Sequence, residues 1–241
     1  MNTLERHTSS HEDHWIPLSD LMTGLMMMFL LIAIVYMIKV ESDSKLLKEA
    51  SERTKEIATV YKKIKNELYY DLWKAFEKDL PRWDAELLTD ATLRFKAPDV
   101  LFDSGKADLK PRFREILNEF FPKYVSILTS PKYRDSIQEI RIEGHTSSYW
   151  LGAPTEQDAY FQNMRLSQDR TRSALEFVMK LGAVSDNVGW LREHVIANGL
   201  SYSKRIFNSN GSEDVRRSQR VEFRVRTDAD TRIDKIIQAA E

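Results

Sequence analysis

The sequence predicts a membrane-anchored α+β protein, and three observations predict this fold class. The stretch from Leu21 to Ile38 contains no charged residue and is long enough for a single N-terminal transmembrane helix. Residues 41–80 are strongly charged yet contain neither Gly nor Pro, which is typical of a long helix. From residue 91 onward, strand-like and helix-like patterns alternate, which predicts an α/β sandwich with its helices on one face of a sheet.

The composition argues against several classes of function. The 241-residue chain carries 36 Lys and Arg against 37 Asp and Glu, so it has no overall field to attract nucleic acid, and we expect no direct nucleic-acid binding. The absence of Cys rules out disulfides and thiolate zinc sites. There is no Gly-rich phosphate loop, zinc-protease motif or nucleophile elbow. We therefore expect neither an enzyme nor a bound cofactor.

Residues 1–14 are polar and lack periodicity, so we interpret them as a tail. Three histidines in this tail, His7, His11 and His14, have the spacing of metal ligands on a helix. Without a preformed scaffold, solvated histidines are the favoured interpretation, and no metal site is predicted.

The transmembrane helix is predicted over residues 15–38. Trp15 suits the membrane interface, and Pro17 suits a first helical turn, where its missing N–H is not needed. The apolar run exceeds that of a signal peptide, and no small-residue cleavage site follows it. We therefore predict a single-pass anchor.

One carboxylate, Asp20, stands at the N-terminal edge of this span. From its position alone, two interpretations stay open. Asp20 is either a helix-end acid favoured by the helix dipole, or an intramembrane carboxylate that binds and releases a cation. A charge inside the bilayer costs about 2.5–3.5 kcal/mol, so such an acid faces a protein interior or a water path. Thr23 offers a further oxygen one turn on, and Gly24 allows close helix approach.

Residues 39–81 are predicted to form a helical linker that ends at Pro81. Its apolar residues recur at spacings of three to four, which indicates an amphipathic helix. They are Ile57, Val60, Tyr61, Ile64, Leu68, Leu72, Phe76 and Leu80. The spacing drifts away from a strict heptad. Pairing with a second copy as a dimer coil and packing of Leu68 to Leu80 on the C-terminal domain both remain open.

Residues 82–228 are predicted to form the C-terminal domain, followed by a tail at 229–241. Strand patterns occupy Ala91–Lys96, Ile137–Glu143, His194–Asn198 and Arg220–Arg226, and Val100–Phe102 forms a short apolar segment. Asn210-Gly211 marks a turn. The basic residues Arg216, Arg217 and Arg220 are interpreted as a solvated loop before an edge strand.

Two helices are predicted in this domain. One begins at Pro111 and runs to about Leu128, with a kink at Pro122. The other spans Asn163 to Leu181, with Asn163 as N-cap and Gly182 at the C-cap position. The core-facing candidates of the second helix are Leu166, Ala174, Leu175, Val178 and Leu181.

The residues around Asp20 resemble the transmembrane signature of the MotB family, the B subunits of ion-driven stators. The matching residues are Trp15, Ser19, Asp20, Leu21, Met22, Thr23, Met26, Met27, Phe29 and Leu30. The resemblance implies that Asp20, with Thr23 beside it, carries H+ or Na+ as the transported ion. It also implies a homodimer whose two helices sit inside a pentameric ring of a multi-helix MotA-like subunit.

The C-terminal residues resemble the OmpA-like peptidoglycan-binding domain over residues 91–227. The matching motifs are Leu101-Phe102-Asp103-Ser104-Gly105, Ala107-Asp108-Leu109-Lys110-Pro111, Gly144-His145-Thr146, the spacing Asn163, Leu166, Ser167, Arg170, then Gly199 and Arg220-Val221-Glu222.

This second resemblance implies that Arg170 grips the carboxylate of a diaminopimelate-type stem peptide, in a site shared with Asn163, Thr146 and Ser147. Where the family has an Asp that grips the ammonium, this chain has Ser147. A hydroxyl cannot replace a full charge, so ammonium recognition is weakened or moved elsewhere. The alternative for Arg170 is a helix-surface salt bridge with Asp169 or Glu143.

Wall binding requires a cytoplasmic N-terminus and a periplasmic C-terminal domain, so the resemblance implies a single-pass inner-membrane protein of that orientation. The positive-inside rule favours the opposite orientation, but we give the wall-binding resemblance more weight. The basic residues that follow the span are Lys39, Lys45, Lys48, Arg53 and Lys55.

Two features separate the chain from a typical flagellar stator: a near-neutral tail and the sequence Gly-His-Thr-Ser in place of Gly-His-Thr-Asp. Both resemble the ZorB family of the Zorya anti-phage defence system, in which a ZorA-like subunit forms the ring. The alternatives are a flagellar MotB stator subunit and a passive OmpA-like wall anchor without ion flux.

Overall fold

The computed structural model describes residues 15–96 and 98–228, so the histidines of the N-terminal tail lie outside the described residues. The chain divides into two compact units, one that ends at Glu56 and one that begins at Ile57. Helix α1 spans Trp15–Phe76. Within it, Leu18–Lys55 is long and apolar enough to cross a membrane, by length and composition. Among the described residues, the large apolar side chains of this segment are exposed.

The second unit begins with the C-terminal part of α1. This helix ends at Phe76 rather than at Pro81, and a turn follows in which the Leu80 N–H donates to the Phe76 carbonyl at 2.9 Å. Leu68, Leu72 and Phe76 are buried in the core of the unit, as their spacing of four on one helix face requires. Packing on the domain therefore accounts for this apolar face. Coil formation through Ile57, Val60 and Tyr61 stays a prediction, because those side chains lie outside the described set.

A five-stranded sheet forms the centre of the domain, in the order β1-β2-β5-β3-β4. The strands are β1 Ala85–Leu87, β2 Leu93–Phe95, β3 Ile137–His145, β4 Val195–Gly199 and β5 Arg220–Thr227. Only β3 and β4 pair in parallel, and the other neighbours are antiparallel.

The predicted edge position of the last strand is wrong, because β5 lies between β2 and β3. Both faces of β5 are covered: Val221 and Phe223 are buried on one face, and Arg220 and Glu222 on the other. The prediction of a solvated loop likewise fails for Arg220, whose guanidinium is paired with Glu222 at 2.7 Å. Strand β1 was not predicted, since three residues are too short for an alternating pattern to be visible.

The remaining helices are α2 Pro98–Leu101, α3 Pro111–Leu128, α4 Glu156–Met179, α5 Val188–His194 and α6 Val215–Ser218. The bounds of α3 agree with the prediction, and the helix continues through Pro122. Gly211 has a φ of +80°, in agreement with the predicted turn. The segment Val100–Phe102 was predicted only as apolar, and the structure shows that its first two residues belong to the short helix α2. Helix α5 was not predicted.

Helix α4 begins earlier than predicted, so Asn163 is not its N-cap. The N-cap is Thr155, whose hydroxyl oxygen accepts a hydrogen bond from the Asp158 N–H at 3.1 Å. Asn163 lies inside the helix and is buried. At the other end, Lys180 is the C-cap and Gly182 begins a 3-10 turn, so the predicted glycine cap is also wrong.

The core lies between one face of the sheet and the helices. Phe120 of α3 is fully buried at its centre. Six aromatic rings lie 4.9–6.4 Å from the Phe120 ring, centroid to centroid. They belong to Phe76, Trp83, Phe95, Phe121, Tyr124 and Phe223. From α4, Ala174 and Val178 are buried in this core, whereas Leu166 is half-buried outside it.

Two glycines let α4 approach the ends of β3 and β4. Gly144 and Gly199 are direct partners in the parallel β3–β4 register. A Cβ atom on Gly144 would lie 2.8 Å from the Ser167 carbonyl oxygen, and one on Gly199 would lie 2.7 Å from the Gln168 Cα. Real Cβ atoms do not make such contacts, so only glycine fits at either position. The close approach places this stretch of α4 beside the carboxyl ends of two strands.

Candidate functional site

A cleft of about 400 Å³ lies where α4, the loop after β3 and the segment around α2 meet. Its volume falls within the range of about 300–1,000 Å³ that ligand sites usually have. All four predicted binding residues, Arg170, Asn163, Thr146 and Ser147, line it. The structure therefore brings together residues that are up to 24 positions apart in the sequence (170 minus 146).

The Arg170 side chain reaches from α4 to the loop that precedes α3. Its Nε donates to the Lys106 carbonyl oxygen at 2.9 Å, and its Nη2 donates to the Asp103 carbonyl oxygen at 3.1 Å. The guanidinium carbon lies 4.8 Å from the centre of the Phe102 ring. Backbone carbonyls and an aromatic face thus fix the orientation of this side chain.

Arg170 keeps its charge with no counter-ion in the part of the chain that the structure describes. The residue is only 8% exposed, and burial lowers the pKa of its guanidinium to about 10, so it is still a cation at neutral pH. The alternative salt bridge is wrong for both partners: Asp169 pairs with Arg172 at 3.0 Å and Glu143 with Arg224 at 3.4 Å. Among the described residues, no carboxylate pairs with Arg170. A buried cation of this kind favours an anionic ligand.

Two further polar groups of the cleft have no hydrogen-bond partner among the described residues. They are the Thr146 hydroxyl and the Asn163 side-chain NH₂, and both residues are buried. Leaving a buried polar group unsatisfied costs about 1–3 kcal/mol, and the large majority of buried side-chain polar atoms find a partner. Both residues line the cleft together with Arg170, so these two unpaired groups lie at the wall of the same site.

Ser147 occupies the position at which the family pattern has Asp. Its hydroxyl oxygen accepts a weak hydrogen bond from the Gln219 side-chain N–H at 3.3 Å, so both groups at this point are neutral. The acid among the lining residues is Asp99, whose side chain is largely exposed and lies 4.0 Å from Arg216. The buried part of the cleft therefore carries a cation and uncharged polar groups.

Ser201, which sequence analysis missed, ties three elements together beneath the cleft. Its N–H donates to the Ser167 hydroxyl at 3.0 Å, and its carbonyl oxygen accepts from the Thr146 N–H at 2.9 Å. The residue is buried with a φ of +49°, which is uncommon for a non-glycine residue. Its position just after Gly199 was the available signal. These bonds hold the loop after β3 against α4.

A buried ion network lies on the second face of the sheet, beside the cleft. The Nε atoms of Arg94 and Arg220 each donate to Glu222 Oε1 at 2.7 Å. His145 Nε2 lies 3.7 Å from Glu222 and 3.8 Å from Glu143. Glu143, His145 and Glu222 could together hold a metal ion by their spacing. The guanidiniums already neutralise the carboxylates, however, so we assign the group to the ion network.

Burial and neighbouring charges together decide the protonation states in this network. It lowers the pKa of His145 below its usual value, although Glu222 acts in the opposite direction. Burial by itself would raise the pKa of Glu222, but its partners His145 and Arg220 lower it. Since burial keeps His145 neutral near pH 7, we attribute the charged state of Glu222 to Arg94 and Arg220.

The two predicted ion-conducting residues lie in the first unit. Asp20 and Thr23 are three positions apart in α1 and therefore share one helix face. The Thr23 hydroxyl donates to the Ser19 carbonyl oxygen at 2.8 Å, which leaves its oxygen lone pairs able to accept. Both predicted roles stay predictions, since the geometry within one helix does not test them.

Comparisons with known proteins give the following similarities. The model of the OmpA family matches residues 101–220. The Zorya protein ZorB of Escherichia coli is 43% identical over 227 residues, which cover 94% of this chain and 93% of that protein. Among solved structures, a MotB-like protein from Desulfovibrio vulgaris is 21% identical, with a TM-score of 0.48 over 72% of this chain and 98% of that one. The cell wall anchor of the T6SS from Pseudomonas aeruginosa is 21% identical, with a TM-score of 0.43 over 65% and 96%.

Proposed function

Because the chain belongs to the Zorya ZorB family, we propose that it is the B-type subunit of an ion-driven stator complex of the inner membrane, anchored to peptidoglycan and acting in anti-phage defence. Its C-terminal domain carries the OmpA-family match, and its N-terminal unit supplies one apolar helix of membrane-spanning length. The role is mechanical and not enzymatic.

One observation carries the wall-binding part of this proposal: within the described part of the chain, the buried guanidinium of Arg170 has no counter-ion, and its cleft holds two unsatisfied polar groups. A guanidinium fork binds a carboxylate through two parallel hydrogen bonds, so the site suits the carboxylate of a peptidoglycan stem peptide. The domain then lies in the periplasm and the N-terminus in the cytoplasm.

The motor part of the proposal rests on Asp20. It takes up H+ or Na+ from one side of the membrane, becomes neutral, and releases the ion to the other side. Each charge that crosses supplies about 2.3 kcal/mol per 100 mV, so several transfers are coupled to one mechanical step. The helix works as one of a pair, from a homodimer, inside a pentameric ring of a MotA-like or ZorA-like subunit. Thr23 adds an oxygen on the same face.

The decisive experiment compares two neutralised carboxylates of the same helix. Asp20→Asn is expected to abolish both ion flux in proteoliposomes with the ring subunit and protection of cells against phage plaques. Asp43→Asn, which removes an exposed acid of α1, serves as the matched control and should leave both unchanged.

A second pair of variants tests the wall contact. Arg170→Ala should remove binding to purified peptidoglycan sacculi, whereas Arg172→Ala, an exposed residue two positions on, should retain it. If Asp20→Asn leaves phage protection intact while Arg170→Ala removes it, the protein is a passive wall anchor. Rescue of motility in a strain without a stator would instead indicate a flagellar role.

A further inference from the structure

The loop after β3 ends in an exposed apolar tip formed by Tyr149, Trp150 and Leu151. Tyr149 is 65% exposed and Leu151 is 82% exposed, while Trp150 is half-buried. All three line the same cleft as Arg170. Large apolar side chains held in water next to a polar cleft indicate a contact surface for a ligand, because exposure of such a group is unfavourable in the free protein.

The backbone just before the tip is held by a largely buried carboxylate from another part of the chain. The Ser148 N–H donates to Glu213 Oε1 at 3.1 Å, and the Ser148 hydroxyl donates to the other carboxylate oxygen. Only 10% of the Glu213 side chain is exposed. Glu213 itself pairs with Phe207 across an isolated bridge, so the anchor belongs to an ordered turn. Less conformational entropy is therefore lost when a ligand binds the tip.

We propose that this tip is a second subsite of the cleft, which stacks against a sugar ring of the peptidoglycan glycan strand. The inference rests on the proposed wall binding. In peptidoglycan the stem peptide is covalently joined to the glycan, so a ligand whose carboxylate is held by Arg170 brings a sugar with it. A pyranose ring has an apolar C–H face that matches an aromatic ring, and a hydroxyl edge that matches polar lining residues such as Ser104 and Gln219.

The composition of the cleft explains why such a subsite is needed. Ser147 provides no charge for the stem-peptide ammonium, so the electrostatic part of recognition is reduced to Arg170. Contacts to the glycan supply affinity that does not depend on that ammonium. An aromatic contact contributes roughly two- to tenfold in affinity.

The test uses the full-length chain in detergent and two soluble probes: a disaccharide-tetrapeptide, and the same tetrapeptide without its sugars. Isothermal titration should give the wild type an affinity for the sugar-bearing probe roughly two- to tenfold higher. Trp150→Ala and Tyr149→Ala should bring this ratio close to one and leave the affinity for the free tetrapeptide unchanged. That unchanged affinity also reports an intact fold.

The control variant is Tyr70→Ala, which removes a tyrosine of nearly equal exposure (64%) that does not line the cleft. It should keep the wild-type ratio. Glu213→Ala, which releases the tip without touching it, should lower the ratio in the same way as Trp150→Ala.

Four results would overturn the inference. An equal affinity of the wild type for both probes would reject the sugar contact while leaving wall binding intact. An unchanged ratio in both aromatic variants would also reject it, and an effect of Leu151→Ala alone would indicate an aliphatic partner instead. Failure of the wild type to bind either probe would reject the proposed wall binding and the inference together.

Discussion

Substitution of Gly199 by alanine tests whether the approach of α4 to the sheet positions the site. The added Cβ would overlap the backbone of Gln168, with only 2.7 Å to its Cα. No rotation of a side chain relieves a collision with backbone, so the helix must move away from the strand. Arg170 follows Gln168 by two positions on that helix and has to move with it.

Two opposing terms set the expected magnitude. Alanine by itself would raise the free energy of unfolding by about 0.5–1 kcal/mol relative to glycine, because glycine loses more backbone freedom on folding. Overpacking of a close contact costs about 1–3 kcal/mol, and a backbone obstacle places Gly199→Ala at the upper end. The net expectation is a loss of about 2 kcal/mol in the free energy of unfolding.

Two measurements are made on the full-length chain in detergent. Urea denaturation, monitored by tryptophan fluorescence, gives the free energy of unfolding, and a binding assay with sacculi reports the site. Gly189→Ala is the matched control, because a Cβ on that glycine of α5 meets nothing within 4 Å. Only the entropic gain acts there, so this variant should be slightly more stable than the wild type and bind normally. A Gly199→Ala protein with wild-type stability and wild-type sacculus binding would refute the role of close helix approach.

Two other predictions concern the core and the buried network. Phe120→Ala removes the ring at the centre of the aromatic cluster and should lower the free energy of unfolding by about 3–5 kcal/mol, measured by the same denaturation; a loss below 1 kcal/mol would contradict the packing described. His145 has a lowered pKa when folded, so below its ordinary value of 6.5 the unfolded chain binds protons first and stability falls with acid. Between pH 7 and 5 the wild type should therefore lose more stability than His145→Gln. Glu222 also has a lowered pKa, but its protonation affects stability only below its ordinary pKa of 4.5. Equal pH slopes of the two proteins would count against a buried neutral His145.

The sequence predicted the elements whose local pattern is strong. Examples are Pro111 at the first position of α3 and the alternation of apolar and charged residues in β5. In both cases the local pattern and the tertiary structure favour the same element. The start of α4 was missed because its first turns are mostly polar. The pair Thr155 and Asp158 matches a helix N-terminus signature and could have located it.

The order of the strands could not be read from the sequence. Arg220 and Glu222 have the composition of a solvent-facing strand, and only the register between β2, β3 and β5 pairs each charge with a partner. In the site, the motifs identified side chains, but the acceptors of Arg170 are backbone carbonyls, which no residue type reveals.

The way Arg170 is held bears on the proposed role of this chain as a wall-bound stator subunit. A pull on a ligand bound to this guanidinium would pass through its hydrogen bonds to the carbonyls of Asp103 and Lys106, and along its own side chain to α4. The load is then divided between α4 and the loop before α3. These segments are more than sixty residues apart in the sequence, and Asp103 is 67 positions from Arg170. In the proposed wall-bound state, neither the loop before α3 nor the helix therefore has to bear the tension alone.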